Sequence, residues 1–491
     1  MREHMGWALH RAKRSWDSID GPRVVIVGGG FGGLAAARAL KHASTVEGTD
    51  VGLPAQIVLI DRANHYLFQP LLYQVATSVL TPGQIGSPLR GLLRKQKNAA
   101  VFLGEITGVD KERKLVFGNS PDREGLSIAY DYLILATGST HSYFGHPEFE
   151  KFAPGLKTLA DAVGIRNRIL LAFEQAETEE DPTRHRALLT FVLVGAGPTG
   201  VEMAGALAIL VRNTLQTEFR RVDPSSARIV LVDMAPRVLG TFAEELSRRV
   251  KTRLEKLGVE VRLGHGVDQI DDAGVVVAGE RIASKTVIWT AGVAPSPAGK
   301  WLGVETDRAG RVRVQNDLTV PGHPEIFVIG DTASLDQDGK PLPGVAQVAM
   351  QQGRYAGSVI RRRLAGQSSP GPFRYFDKGT MALVGQGYAV LQRGKVKMSG
   401  PLVFLVWLAV HVLFLPQWGP RVIVIFQWLW TFLTRQRGSR LIVNHHRADE
   451  RGQEQRPQEG LGHREAPSAP ATERAAAPGA IGAAAPVVPP A

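Results

Sequence analysis

The 491-residue chain contains no cysteine. That absence excludes structural disulfides, thiolate nucleophiles, iron–sulfur ligation and cysteine-based zinc sites. Any redox chemistry therefore rests on a bound cofactor. Long apolar runs are missing too: Leu402 to Leu415 and Val422 to Leu433, separated by Pro416, Trp418, Gly419, Pro420 and Arg421, each fall short of the ~20 residues that a spanning helix needs. The stretch from Met1 to Arg23 carries Arg2, Arg11, Lys13 and Arg14 with no continuous apolar segment, so it does not read as a secretory signal. Acidic residues are in deficit, 46 Asp and Glu against 58 Lys and Arg, for a formal net charge of +12. Such an excess is compatible with nucleic acid, an anionic membrane or solubility alone.

What is present is enough chain for two or three domains, 44% of it apolar, able to enclose a large cofactor. Arg23 to Gly30 predicts a buried strand running into glycines, and Leu34 to Leu40 an alanine-rich helix. The same grammar recurs at Leu189 to Leu210. Tyr130 to Gly138 and Ile326 to Asp331 predict further apolar strands ending in small-residue turns. Strands alternating with helices imply an α/β fold with parallel sheets. From 447 to 491 the chain is too poor in large apolar groups to repay its ordering entropy and reads as a disordered tail.

Two motifs carry chemistry. Gly28, Gly30 and Gly33 form a G-x-G-x-x-G between a strand and a helix, where glycines let backbone approach a pyrophosphate at a helix N-terminus. The next strand ends in Asp61, a candidate ribose ligand that comes later than the usual spacing because Ser44 to Gln56 reads as an insertion. Gly195, Gly197 and Gly200 repeat the pattern, and a later strand presents Asp233. A carboxylate there suits the ribose hydroxyls of NADH, although Arg237 is close in sequence and a cation would favour NADPH. Gly330 and Asp331 put a further carboxylate at a strand C-terminus, where ligands of parallel sheets collect, or else cap a turn.

The order G-x-G-x-x-G, Ala136-Thr137-Gly138, G-x-G-x-x-G, Gly330-Asp331 resembles the flavoproteins with two dinucleotide-binding domains. In those proteins the outer pieces hold FAD and the middle insert holds the nicotinamide. Lack of cysteine removes the thiol-dependent branches of that superfamily, including its disulfide and sulfide:quinone reductases. Three segments then look like the type II NADH dehydrogenases: His65 to Thr77, which includes Pro70; the run Ala346 to Gly353; and Asp377-Lys378-Gly379. The resemblance extends from Arg23 to Val443 and includes the turn at Trp289 to Val293.

By spacing alone, Gln347 and Gln351 share one helix face, where their amides either meet a quinone carbonyl or simply face solvent. The resemblance implies the quinone pocket. Glu202, in the first turn of its helix, complements the macrodipole or, as the resemblance implies, lies beside flavin and nicotinamide to orient the latter or relay protons. Lys378 is either an exposed lysine or the lysine that the family keeps near its flavin.

The expected architecture is therefore α/β, with two Rossmann-like dinucleotide-binding domains and a C-terminal membrane-associating helical segment. Its boundaries are a basic extension at 1–22, the FAD-binding domain at 23–160 and 301–370, an inserted NADH-binding domain at 161–300, a quinone-site and membrane-anchor region at 371–446, and the tail at 447–491. The implied activity is hydride transfer from NADH to FAD and two-electron reduction of a membrane quinone in a respiratory electron-transport chain, without proton pumping. No metal and no nucleic acid enter the expectation. The aromatic-rich apolar runs, with Arg421, Arg435, Arg437 and Arg440 nearby, suit monotopic attachment to the cytoplasmic face of the cell membrane, or else a core pair or a homodimer interface. On the anchor reading, a chain ending near Ser399 is a soluble flavoprotein. Two other functions fit the motifs: an NADH-dependent reductase of a small soluble electron carrier, and a flavin-bound redox sensor or scaffold.

Overall fold

A computed structural model describes residues 21–44 and 54–443. The basic extension, most of the Ser44 to Gln56 insertion and the tail lie outside the described residues. The strand Arg23–Val27 (β1) is a run of branched apolar residues because it is covered on both faces, as parallel strands are. It leads into the helix Phe31–Ala39 (α1) and then the strands Gln56–Asp61 (β2), Ala99–Leu103 (β3) and Tyr132–Leu135 (β4). A second strand–helix pair follows, Thr190–Val194 (β5) and, after the short helix Leu72–Ala76 (α2) earlier in the chain, Pro198–Ile209 (α3). The strands Arg228–Asp233 (β6), Val259–Leu263 (β7) and Thr286–Trp289 (β8) complete that unit. The chain then returns with Thr319–Val320 (β9) and His323–Val328 (β10).

Spatially the first sheet runs β9-β10-β4-β1-β2-β3, parallel except for the β9 edge, and the second runs β7-β6-β5-β8, wholly parallel. The first sheet is thus assembled from chain on either side of the second. In each, the strand that precedes the glycine motif sits where the strand order reverses, with its successor on one side and a later strand on the other. That reversal opens a crevice at the strand C-termini.

The helix Ala346–Leu364 (α4) lies parallel against α1, with Gly353 over Gly32 and Gly357 over Ala39. A Cβ at Gly353 would come within 2.2 Å of the Gly32 carbonyl oxygen, so only glycine permits this approach. A three-stranded antiparallel sheet of Thr380–Leu383 (β11), Ala389–Arg393 (β12) and Val396–Gly400 (β13) follows, then the helices Pro401–Phe414 (α5) and Trp418–Thr434 (α6). Each of these helices has two kinds of face. Val403, Trp407 and Val424 are sealed in the main core, while Leu402, Leu405, Phe426 and Leu433 are exposed. Among the described residues no helix is long and apolar enough to cross a membrane.

The arginines expected together at a lipid surface separate. Arg437 is only 3% exposed, and its guanidinium donates to the carbonyls of Thr77 and Ala206 at 2.7 and 3.2 Å. It fastens the segment after α6 to the end of α2 and to α3 rather than meeting headgroups. Arg440 pairs with Glu218 at 2.6 Å, Arg421 donates to the Leu413 and Leu415 carbonyls, and Arg435 remains exposed.

Candidate active site: two crevices and the strand between them

The two glycine motifs are built to one plan. Gly28 and Gly195 hold φ at +102° and +108°, which a side chain rarely adopts. Their N–H groups donate to the carbonyls of Ile60 and Val232 at 2.8 and 2.7 Å. A Cβ at Gly33 would lie 1.8 Å from the Gly28 carbonyl oxygen, and one at Gly200 would lie 1.8 Å from that of Gly195. Helix and strand therefore pack at a separation that only a third glycine allows. At Gly30 and Gly197 a Cβ would meet nothing within 4 Å, so the mouth of each motif is open, beneath the free N–H groups of a helix first turn.

The carboxylates repeat as well. Asp61 accepts from the Gly29 and Ala63 N–H groups at 2.5 and 2.7 Å, and Asp233 accepts from Ala196 and Ala235 at 2.5 and 2.7 Å. Each acid is thereby fixed at its crevice with oxygen lone pairs to spare for a ribose. Arg237 is turned to the Gly240 carbonyl at 2.9 Å. These open cradles, each with a helix N-terminus on one side and an anchored carboxylate on the other, fit one dinucleotide apiece.

Gly330 and Asp331, beyond β10, come together with the turn after β4. Thr137 shares hydrogen bonds with Ser296 and Thr332, while Asp331 accepts from Ser139 at 2.7 Å. Lys157 donates to the same Ser139 hydroxyl at 2.9 Å, its pKa lowered by burial, with Asp331 opposing the shift. The Gly330 N–H is held by the buried amide of Gln352 at 2.7 Å, which ties this turn to α4. Sequence reasoning missed Ser139, Lys157, Ser296 and Thr332, which no spacing joins. Gln352, adjacent to Gln351, had a signal in the Ala346 to Gly353 run.

Glu202, on α3, accepts from the Leu383 N–H at 3.1 Å, and burial pushes its carboxyl up to about 8 against that hydrogen bond. Close by, burial and then the charge of Glu202 raise the Tyr73 phenol well above its ordinary value. Gln74 donates to the Tyr73 oxygen at 3.2 Å and accepts from the Trp428 indole at 2.7 Å. A polar chain thus reaches from Tyr73, which feels the charge of Glu202, to Trp428 on α6.

Gln347 and Gln351 do share one face of α4, but that face is covered. Gln347 donates to the Gly379 carbonyl at 2.9 Å and accepts from the Lys378 N–H at 3.3 Å. Gln351 pairs with both backbone groups of Phe376 at 3.0 Å. Each amide keeps one N–H for another acceptor. The two glutamines line a small cleft with Lys378, Met350, Arg354 and Phe414. Lys378, exposed, holds its ammonium over the Phe414 ring at 5.8 Å. Pro70 lies in the short helical turn Gln69–Leu71, next to Phe68, whose ring meets His411 edge-on at 6.2 Å. Because Gly379 and Leu383 are four residues apart, Gln347 and Glu202 stand at opposite ends of β11, roughly 13 Å apart along it.

A family model described as pyridine nucleotide-disulphide oxidoreductase matches residues 22–353. The chain is 45% identical over 433 residues to the type II NADH:quinone oxidoreductase Ndh of Mycobacterium tuberculosis, covering 86% of this chain and 90% of that protein. It is 44% identical over 435 residues to NdhA of the same organism, also a type II NADH:quinone oxidoreductase, covering 86% and 89%. In fold it is similar to NDH2 from Plasmodium falciparum in complex with NADH, with a TM-score of 0.75 at 18% identity, over 86% of this chain and 99% of that one.

Proposed function

The chain belongs to the pyridine nucleotide-disulphide oxidoreductase family, and within it to the type II NADH:quinone oxidoreductases; from that premise we propose how its residues divide the reaction. It is an enzyme that oxidises NADH and reduces a quinone. FAD, when bound, supplies both the acceptor for the hydride of NADH and the donor of two electrons to the quinone. The observation that carries the assignment is the duplicated crevice, because one dinucleotide cradle would serve a simple dehydrogenase and two serve a flavin and a nicotinamide together.

In this reading residues 23–160 and 301–370 hold FAD. Gly28, Gly30 and Gly33 admit its pyrophosphate, Asp61 its ribose, and Thr137, Gly138, Gly330 and Asp331 border its crevice, with Pro70 close by. Residues 161–300 hold NADH through Gly195, Gly197, Gly200 and Asp233. Glu202 at one end of β11 orients the nicotinamide and holds or releases a proton. Gln347, Gln351 and Lys378 at the other end bound the quinone pocket, their strap of backbone bonds setting its shape. Attachment is monotopic, through the exposed faces of α5 and α6 on the cytoplasmic side, supported by an apolar surface too extensive for solvent.

Two outcomes test the assignment. NADH is expected to exceed NADPH in kcat/KM by at least about tenfold with a quinone acceptor, since a 2′-phosphate would meet the anchored Asp233 carboxylate. Equal constants for the two donors would remove Asp233 from the ribose site. Glu202→Gln keeps the shape and removes the exchangeable proton of a carboxyl that burial raises to about 8, so turnover is expected to fall about tenfold or more with flavin content intact. The same variant has a signature in stability. The wild-type carboxyl, raised from 4.5 to about 8, binds more protons folded than unfolded between those values. Its stabilising contribution is full at low pH and is lost as pH rises through about 8. The melting temperature of Glu202→Gln should therefore gain on wild type from about pH 5 to about pH 9, and a pH-independent difference would leave Glu202 only its place in the helix first turn, with no proton to hold or release.

A further inference from the structure

Outside both crevices, a cavity of about 610 Å³ lies between α1, α4 and the α5–α6 connection. One end is apolar, from Phe31, Leu34, Met350, Leu413 and Phe414. The other is cationic. Arg38 lies seven residues after Phe31 on α1 and Arg361 eleven after Met350 on α4, so the two parallel helices carry these arginines toward the same end, while Arg354, four after Met350 and also on the wall of the glutamine cleft, stands between the two ends. Among the described residues no carboxylate lines the cavity. Among the described residues, none of these three guanidinium groups has a carboxylate partner within ion-pair distance. Burial lowers the pKa of Arg38, with Tyr66 opposing the shift, so that even this exposed arginine is partly withdrawn from water. A fourth arginine, Arg421, is occupied by the Leu413 and Leu415 carbonyls and holds the wall in place.

We propose that this cavity binds one anionic phospholipid, its phosphate among Arg38, Arg354 and Arg361 and the start of its acyl chains against Phe31, Leu34 and Leu413. The division into a cationic and an apolar end matches the two parts of such a molecule, and unpaired guanidinium groups suit phosphate oxygens. A free inorganic anion would leave the apolar end unused, and a neutral quinone head would leave the cations unanswered. Leu413, 65% exposed at the rim, continues the cavity into the apolar faces of α5 and α6. The inference rests on the functional reading only in that these faces meet a bilayer.

The test uses the full-length flavin-bound protein in detergent micelles supplied with phosphatidylglycerol, phosphatidylcholine or inorganic phosphate alone, with bound species counted by native mass spectrometry. One phosphatidylglycerol per chain is expected, without stable phosphatidylcholine or phosphate adducts. Arg38→Gln/Arg361→Gln should weaken retention about thirtyfold, on about a factor of five per cation, and Arg38→Lys/Arg361→Lys should keep most of it. NADH oxidation with a water-soluble quinone should be unchanged in both variants, whose flavin absorbance reports that they are folded. Equal lipid retention by the glutamine variant would overturn the proposal, as would phosphate alone binding as tightly as the lipid. A raised quinone KM for that variant in lipid-free detergent would make the cavity a quinone passage instead. Absence of quinone turnover in wild type would contradict the functional reading while leaving the lipid count to be read separately.

Discussion

Gly33→Ala is expected to give a protein that holds little or no flavin and melts well below wild type. The added methyl would sit 1.8 Å from the Gly28 carbonyl oxygen, backbone against backbone, so neither side yields by changing a rotamer. Prising α1 from β1 costs at least the ~1–3 kcal/mol typical of overpacking and moves the helix N-terminus that faces the pyrophosphate. Gly30→Ala is the informative contrast, because its Cβ would meet nothing within 4 Å and its φ of −73° suits any residue. That chain should fold, so flavin lost from it is lost on the ligand side. Flavin absorbance per chain and thermal melting of the pure proteins separate the two effects. A Gly33→Ala variant with full flavin content and an unchanged melt would contradict the cradle described here.

Deleting everything after Ser399 is expected to destroy the fold. The apolar runs suggested a detachable anchor whose removal leaves a soluble flavoprotein, and the packing corrects this. Trp407 is fully buried, with His411 stacked on it at 3.9 Å between ring centroids, and burial depresses the His411 pKa to about 4. Loss of Trp407 alone costs ~3–5 kcal/mol on the usual scale for large core side chains. Val403, Leu415 and Val424 leave with it, as do the Arg437 bonds that close the segment after α6 onto the end of α2 and α3. That total reaches the ~5–15 kcal/mol by which whole domains are stable. Inclusion bodies or flavin-free aggregate are therefore expected from expression of residues 1–399, and a soluble, flavin-bound product would contradict this packing. The proposed membrane attachment is better probed by charges on the exposed face, at Leu405 and Phe426.

How much of this was legible in the sequence depended on how local each feature is. The glycine motifs were, because a φ near +100° and a helix pressed against a strand exclude other residues within a few positions of each other. Asp61 and Asp233 were legible as acids at strand ends. Their bonds to the N–H groups of Gly29 and Ala196 depend on the parallel register of neighbouring strands, which spacing does not reveal. The shared face of Gln347 and Gln351 followed from helical periodicity, whereas the backbone strap of Phe376 to Gly379 that covers it is a tertiary contact. For α5 and α6 the apolar character was visible and its division was not. Residues of one hydrophobicity face both the core and the outside, so periodicity has no contrast to report. Arg437 failed for the opposite reason: a lone cation beside apolar runs reads as surface, and only the carbonyls of Thr77 and Ala206 explain its burial.

The central claim, two dinucleotide crevices serving one flavin between NADH and a quinone, is tested most directly by following flavin absorbance in the purified detergent-solubilised protein without oxygen. One equivalent of NADH should reduce the bound FAD, and one equivalent of a quinone analogue should then reoxidise it. A colourless protein, or a flavin that NADH reduces but quinone leaves reduced while a small soluble electron carrier reoxidises it, would contradict the account.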